Sequence, residues 1–109
     1  MRIYELSLKV VQSVCSLALI VQQHDKDLAR QMRRCCTSVP LNMQEGLYGR
    51  GGTRIARFHD AMGSAKETMA CLHVCVAASY LHQEQVDADL MRIDSVVAGL
   101  YCLCHRPRR

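Results

Sequence analysis

Seven cysteines (Cys15, Cys35, Cys36, Cys71, Cys75, Cys102, Cys104) are the most reactive side chains in this 109-residue chain, and five histidines accompany them. Cys71 and Cys75 are four apart and share a helix face, and Cys102 and His105 are three apart on another. A structural zinc site needs four convergent ligands. With two antiparallel helices joined by a turn near residue 84, Cys102 stands level with residue 66, about 8 Å along the axis from Cys71 at ~1.5 Å per residue. His73 points away from both thiols. Cys71 and Cys75 belong instead to a stripe of small residues: Ala61, Ser64, Thr68, Cys71, Cys75 and Ala78. Along such a stripe a second helix can approach closely, and a free thiol packs as a small hydrophobe. Nucleophilic catalysis by a Cys–His pair needs a third, orienting group, and none can be assigned. The reading is a chain without metal, cofactor or catalytic residue, and not an enzyme.

Gly49-Arg50-Gly51-Gly52-Thr53 feeds a helix N-terminus, where amides can hold a phosphate. No strand precedes it and no Gly-Lys-Thr ends it, so it reads as a tight interhelical turn rather than a nucleotide-binding loop.

The basic residues carry more information. The net charge is +4, but residues 26–57 hold seven bases against two acids, Asp27 and Glu45, a local +5 with −1 left for the rest. Lys26, Arg30 and Arg33 share one helix face with Arg34 beside them, and like charges at that spacing repel by a few tenths of a kcal/mol per pair. An anionic partner turns that repulsion into affinity through counterion release. Arg50, Arg54 and Arg57 are expected to continue the patch around the glycine link. RNA or DNA is the partner class this implies. The competing reading is a solvated face, or arginines paired with acids elsewhere, as in a protein–protein scaffold. Neither aromatic interleaving nor a helix-turn-helix or RNA-binding sheet motif accompanies the patch.

Pro40 stands inside a helical stretch, Ser38-Val39-Pro40-Leu41-Asn42-Met43-Gln44-Glu45-Gly46. Without an N–H, and crowding the carbonyl of Cys36, it predicts a kink whose freed acceptors Ser38 or Asn42 can satisfy. Asn42 and Glu45, three apart, are either a polar contact point or supports for the kink and for a helix end at Gly46.

These residues need a scaffold, and the composition names it. Half the chain is hydrophobic but only 5% is aromatic, with no Trp, which suits helix-on-helix packing around small side chains. Helix 1 is expected over roughly 3–22, with the stripe Ile3, Leu6, Val10, Val14, Leu17, Val21 and a second stripe beside it, Tyr4, Leu8, Val11, Cys15, Ala18. Together they span about 200°, beyond the ~100° that one core requires, so an oligomer is expected. Helix 2 (25–48) carries Leu28, Met32, Cys35, Val39 and Met43. Helix 3 runs from Thr53, a candidate cap, to about Leu81, with Phe58, Met62, Ala65, Met69, Leu72 and Val76. Helix 4, after His82-Gln83-Glu84-Gln85, carries Val86, Leu90, Ile93, Val97, Leu100 and Cys104. The expectation is one all-α domain over 1–105, an up-down-up-down four-helix bundle, followed by a basic tail, Arg106-Pro107-Arg108-Arg109. The odd cysteine count, the charged N-terminus and uncharged stretches too short for a bilayer point to a reduced, cytoplasmic protein with no membrane span.

The run from Met32 to Gly46, with Tyr48-Gly49-Arg50, Phe58, Ala61, Gly63-Ser64 and Glu67, resembles the four-helix-bundle proteins encoded in intervening sequences of bacterial 23S ribosomal RNA genes. The Ser-x-Pro-x-Asn-x-x-Glu-Gly run is its most specific part. The accessory variability determinant proteins of diversity-generating retroelements are related to that family in fold. Helix 1 departs from the pattern, with Leu8 or Lys9 where a Trp is often found, and Cys35 and Cys36 replace small residues. The resemblance implies a protomer that assembles into a ring, commonly a pentamer, with basic surfaces suited to nucleic acid and no enzymatic activity. A reverse transcriptase is an implied partner of the retroelement relatives.

Overall fold

The computed structural model describes residues 2–106, so Pro107, Arg108 and Arg109 of the expected basic tail lie outside the described residues. Four helices follow one another: α1 (Arg2–Val21), α2 (Lys26–Tyr48), α3 (Gly51–Ala77) and α4 (Gln83–Cys104). Each packs chiefly against two neighbours, in the cycle α1–α2–α3–α4–α1. That closure is an up-down-up-down bundle, 49 Å long and 22 × 19 Å across. No strand occurs among the described residues.

Local chemistry sets the reversals. After α1, Asp25 takes an extended conformation and its Oδ1 accepts the Leu28 N–H at 2.9 Å, relieving one of the free donors at the start of α2. The α2–α3 reversal needs only Gly49 and Arg50, with Gly51 at φ +56°, a conformation that costs any other residue strain. α3 therefore starts at Gly51 and not at Thr53. Arg50 precedes it without a side-chain cap, and Thr53 lies inside the helix. The same helix stops at Ala77, short of Leu81. Ser79 sits at φ 63°, and the N–H groups of Tyr80 and Leu81 both return to the Cys75 carbonyl, at 2.8 and 3.2 Å. α4 takes over most of the expected link, because His82 and Gln85 form a capping box that lets it begin at Gln83.

The core is built from slim side chains. Val14, Ala18 and Val21 of α1 meet Met32, Cys36 and Met43 of α2, Phe58, Leu72 and Cys75 of α3, and Val86, Val96 and Leu100 of α4. Phe58 is its one fully buried aromatic. On α1 Ser7, Val10, Val14, Ala18 and Val21 are buried, and Ile3, Tyr4, Leu6, Val11, Cys15 and Leu17 pack half-buried against the same core. Both expected stripes therefore face it. Only their Leu8 is exposed, with Leu19 and Ile20 beyond them. By length and composition alone α1 is apolar enough to cross a membrane, with Glu5 and Lys9 its charges after Arg2; here it is one stave of the bundle. α2 continues as a single helix through the buried Pro40.

Candidate nucleic-acid interface

The family-like run fastens α2 to α3. Asn42 Nδ2 donates to both the carbonyl and the hydroxyl oxygen of Ser38, at 3.0 and 2.9 Å, and Ser64 of α3 donates to the same hydroxyl at 2.9 Å. Farther along, Glu45 pairs with Arg57 of α3 at 2.9 Å. Gly46 does not end the helix, which runs on to Tyr48. Its role is proximity: a Cβ there would lie 2.6 Å from the Phe58 ring. Ser38, Asn42, Glu45 and Gly46 thus form a cross-helix seam beside Pro40; of the small stripe of α3, Ser64 meets it, Cys75 lies against Met32 farther along α2, and Ala78 is exposed.

The seven basic residues do not make one patch. Lys26, Arg30, Arg33 and Arg34 occupy the first half of α2, while Arg50, Arg54 and Arg57 stand at the opposite end of the bundle. At ~1.5 Å per residue, with α3 running back along α2, the axial separations range from about 12 Å (Arg34 to Arg57) to about 35 Å (Lys26 to Arg50). The second group is largely engaged in structure. Arg57 faces Glu45 at 2.9 Å and Asp60 at 3.7 Å. Arg54 lies 5.1 Å from the Phe58 ring centroid and donates to the Leu47 carbonyl at 3.4 Å. Arg50, the residue before α3, is exposed.

Two surface clefts flank the first group. One, of about 510 Å³ between α2 and α3, is lined by Arg30 and Arg34 but also by Asp27 and Glu67, with Gln31, Cys35, Ser38 and Ser64. Its charges balance. The other, of about 430 Å³ at the α1–α2 corner, is lined by Gln22, Gln23, Lys26, Arg30 and Arg33 with no acid. Gln22 accepts a 2.7 Å hydrogen bond from Arg33, holding that guanidinium at the cleft. Arg30 reaches Asp27 at 3.3 Å, a pair exposed on both sides and worth little in water. Among the described residues no acid lies within ion-pair distance of Lys26, Arg33 or Arg34. The glutamines were not anticipated, because their part depends on how the α1–α2 turn folds back.

A buried carboxylate also went unread. Asp89 is 1% exposed and accepts hydrogen bonds from Ser13 of α1 and from Arg92, the latter at 2.9 Å. The buried face of α4 is Val86, Asp89, Ile93, Val96 and Leu100, rotated from the expected one; an Asp at helical spacing within an apolar stripe was the available signal. Among the described residues no three His, Cys, Asp or Glu side chains converge as a metal site. The thiols meet sulfur and carbonyl atoms instead. Cys15 and Cys36 bring α1 and α2 together with Sγ atoms 3.9 Å apart, Cys35 donates to the Met32 carbonyl at 3.4 Å, and Cys75 lies 3.6 Å from the Met32 sulfur.

Comparison with known proteins places this architecture. Among solved structures, a protein with unknown function from the S23 ribosomal protein family of Bacteroides thetaiotaomicron matches with a TM-score of 0.86, covering 94% of this chain and 98% of that one. At 19% identity the likeness establishes the fold. The search of curated proteins returns no significant match. The family model for the 23S rRNA-intervening sequence protein matches residues 1–101. With the Ser38-to-Gly46 seam and the four-helix fold, the chain belongs to the 23S rRNA-intervening sequence protein family.

Proposed function

We propose that this protein is a non-enzymatic, self-assembling helical bundle that binds nucleic acid, RNA foremost, through the cleft at the α1–α2 corner. The observation that carries the reading is the lining of that cleft: Lys26, Arg30 and Arg33 with two glutamines and no acid. Arg34 extends the same cationic face. Glutamine amides hydrogen-bond phosphate and sugar oxygens, and the cations supply the counterion-release term. The family's name, which ties its members to intervening sequences of 23S rRNA, favours RNA. Assembly draws support from α1, whose outer face exposes Leu8, Leu19 and Ile20; a ring, commonly a pentamer, is what the resemblance implies.

Binding to a structured RNA and to duplex DNA, measured by fluorescence anisotropy across a salt series, tests the proposal. Affinity should fall steeply with salt, by a log–log slope of about 0.9 per phosphate contacted on duplex DNA and about 0.7 on single strands. Replacing Arg30, Arg33 and Arg34 together by Ala should weaken binding at least tenfold and flatten the slope, whereas Arg50→Ala should do little. Negligible binding at low salt, or binding indifferent to the triple substitution, overturns it. A stable protein partner recovered without nucleic acid after nuclease treatment favours the scaffold reading. Light scattering that shows a monomer at micromolar concentration removes self-assembly.

A further inference from the structure

On α1, Lys9, Gln12, Ser13 and Ser16 stand at i, i+3, i+4 and i+7, the spacing of one helix face. They form a polar strip along the flank of α1 that meets α4. With Leu17, and with Arg92 of α4, they line a surface cleft of about 490 Å³. No acid is among its lining residues, and it shares none of them with the cleft at the α1–α2 corner. Lys9 is exposed. Among the described residues no acid lies within ion-pair distance of it, Glu5 one turn earlier included.

The cleft has a fixed cation as well as a free one. Asp89 is 1% exposed, and both its oxygens are taken, Oδ2 by the Ser13 hydroxyl and Oδ1 by Arg92 Nη1 at 2.9 Å. That carboxylate therefore ties the α1 wall of the cleft to the α4 wall. The Arg92 side chain is itself 36% exposed, so the guanidinium is anchored from below and keeps its other N–H donors for a ligand.

We infer that the α1–α4 cleft is a second anion site, which takes a phosphate-type oxyanion between Lys9 and Arg92. Lys9 supplies a mobile point charge, and Arg92 a planar fork that matches phosphate oxygens. The Gln12 amide and the Ser16 hydroxyl add neutral donors. The hydrogen of Ser13 is spent on Asp89, so Ser13 serves the anchor and not the ligand. Two cations, Lys9 and Arg92, against one carboxylate, Asp89, leave a local +1. A buried ion pair adds little net stability over apolar side chains of similar size; what this one supplies is the position of Arg92. The cleft is larger than one phosphate group, and Leu17 gives the organic part of an ester an apolar edge. None of this depends on the nucleic-acid reading of the α1–α2 corner.

Titrating the full-length, nitrogen-15-labelled protein with sodium phosphate at pH 7, with ionic strength held constant by sodium chloride, tests the inference by NMR. The Arg92 Nε–H, the Gln12 side-chain amide and the Ser16 backbone amide should shift together and saturate in the millimolar range, while chloride alone leaves them in place. Lys9→Gln and Arg92→Ala should each weaken binding by about threefold or more, the scale of a charge pair in water. Lys66→Gln, which removes an exposed charge from α3, should leave it unchanged. The surface substitution Lys9→Gln keeps the test decisive if Arg92→Ala fails to fold. A parallel titration with a dinucleoside monophosphate separates the sources of the anion. Saturation by it as well assigns a phosphodiester, and saturation by inorganic phosphate alone assigns the free anion. Shifts that never saturate, that are confined to Gln22, Gln23 and Arg33, or that survive Lys9→Gln unchanged overturn the inference.

Discussion

Gly46→Ala isolates the close approach that holds α2 to α3. In a helix interior Ala is better than Gly by about 0.8–1.0 kcal/mol, so propensity alone makes this change stabilising. The structure says otherwise, because the new Cβ would sit 2.6 and 2.7 Å from two carbons of the Phe58 ring. Carbon atoms prefer about 3.5–4.0 Å, an overlap of roughly 1 Å. Phe58 is 0% exposed and cannot swing into solvent. Overpacking of this kind costs about 1–3 kcal/mol. The expected net result is a loss of about 1 kcal/mol, several degrees in Tm for a domain this small. Gly63→Ala is the matched control: it lies inside α3 with nothing within 4 Å of its would-be Cβ, so it should gain the propensity term in full. Urea denaturation of both variants, and of Gly46→Ala in a Phe58→Leu background, gives the answer. The penalty should shrink or reverse once the ring is gone. If Gly46→Ala stabilises as Gly63→Ala does, or if its penalty persists unchanged in the Phe58→Leu background, the seam as described is wrong.

Asp89→Ala should destabilise by about 1–3 kcal/mol, since it strands Ser13 and Arg92; Arg92 is 36% exposed and can turn to water, so the full penalty of a sealed ion pair is not expected. Equilibrium unfolding checks this, and a change below about 0.5 kcal/mol contradicts it. Alkylation of Cys35, followed by peptide mass against pH, should rise with a midpoint near 7. Its lowered thiol keeps the reactive thiolate down to that pH and loses it below; a midpoint at the ordinary thiol value of 9.0 refutes this lowering. Gly51→Ala should cost about 1 kcal/mol from its φ of +56° alone, as no neighbour lies within 4 Å to add a clash. Thermal melts decide it, and an unchanged Tm counts against the left-handed turn.

The four helices were legible because three-to-four spacing survives even in a core of Val, Ala, Met and Cys, and punctuation gathers at Gly49 to Gly52. The family was legible in Ser38, Pro40, Asn42, Glu45 and Gly46. What those residues do was not, since Ser38 meets Ser64, and Gly46 meets Phe58, only once the register between α2 and α3 is fixed. For the same reason the charge run misled. Seven bases within residues 26–57 look contiguous along the chain, yet the length of α2 carries them to opposite ends of a bundle 49 Å long. Arg57 was also matched to Glu45, an acid already counted in that stretch. Asp89 was overlooked because Leu90, beside it, fits an apolar stripe almost as well.

The seam between α1 and α4 bears on how the chain folds. Gly99 leaves room for Ile3, whose Cγ2 lies 2.7 Å from where a Cβ would be, so residue 3 docks on residue 99. The other three seams join helices adjacent in sequence and can form as successive hairpins. This one closes nearly the whole polypeptide, and the entropy of that closure must be met before its contacts give anything back. That seam is accordingly expected to close last and to part first. In hydrogen exchange its amides should open in a sub-global step, below the energy needed to part α2 from α3. The bundle would then open along its α1–α4 edge, with the Ser38–Ser64 and Gly46–Phe58 contacts as its spine.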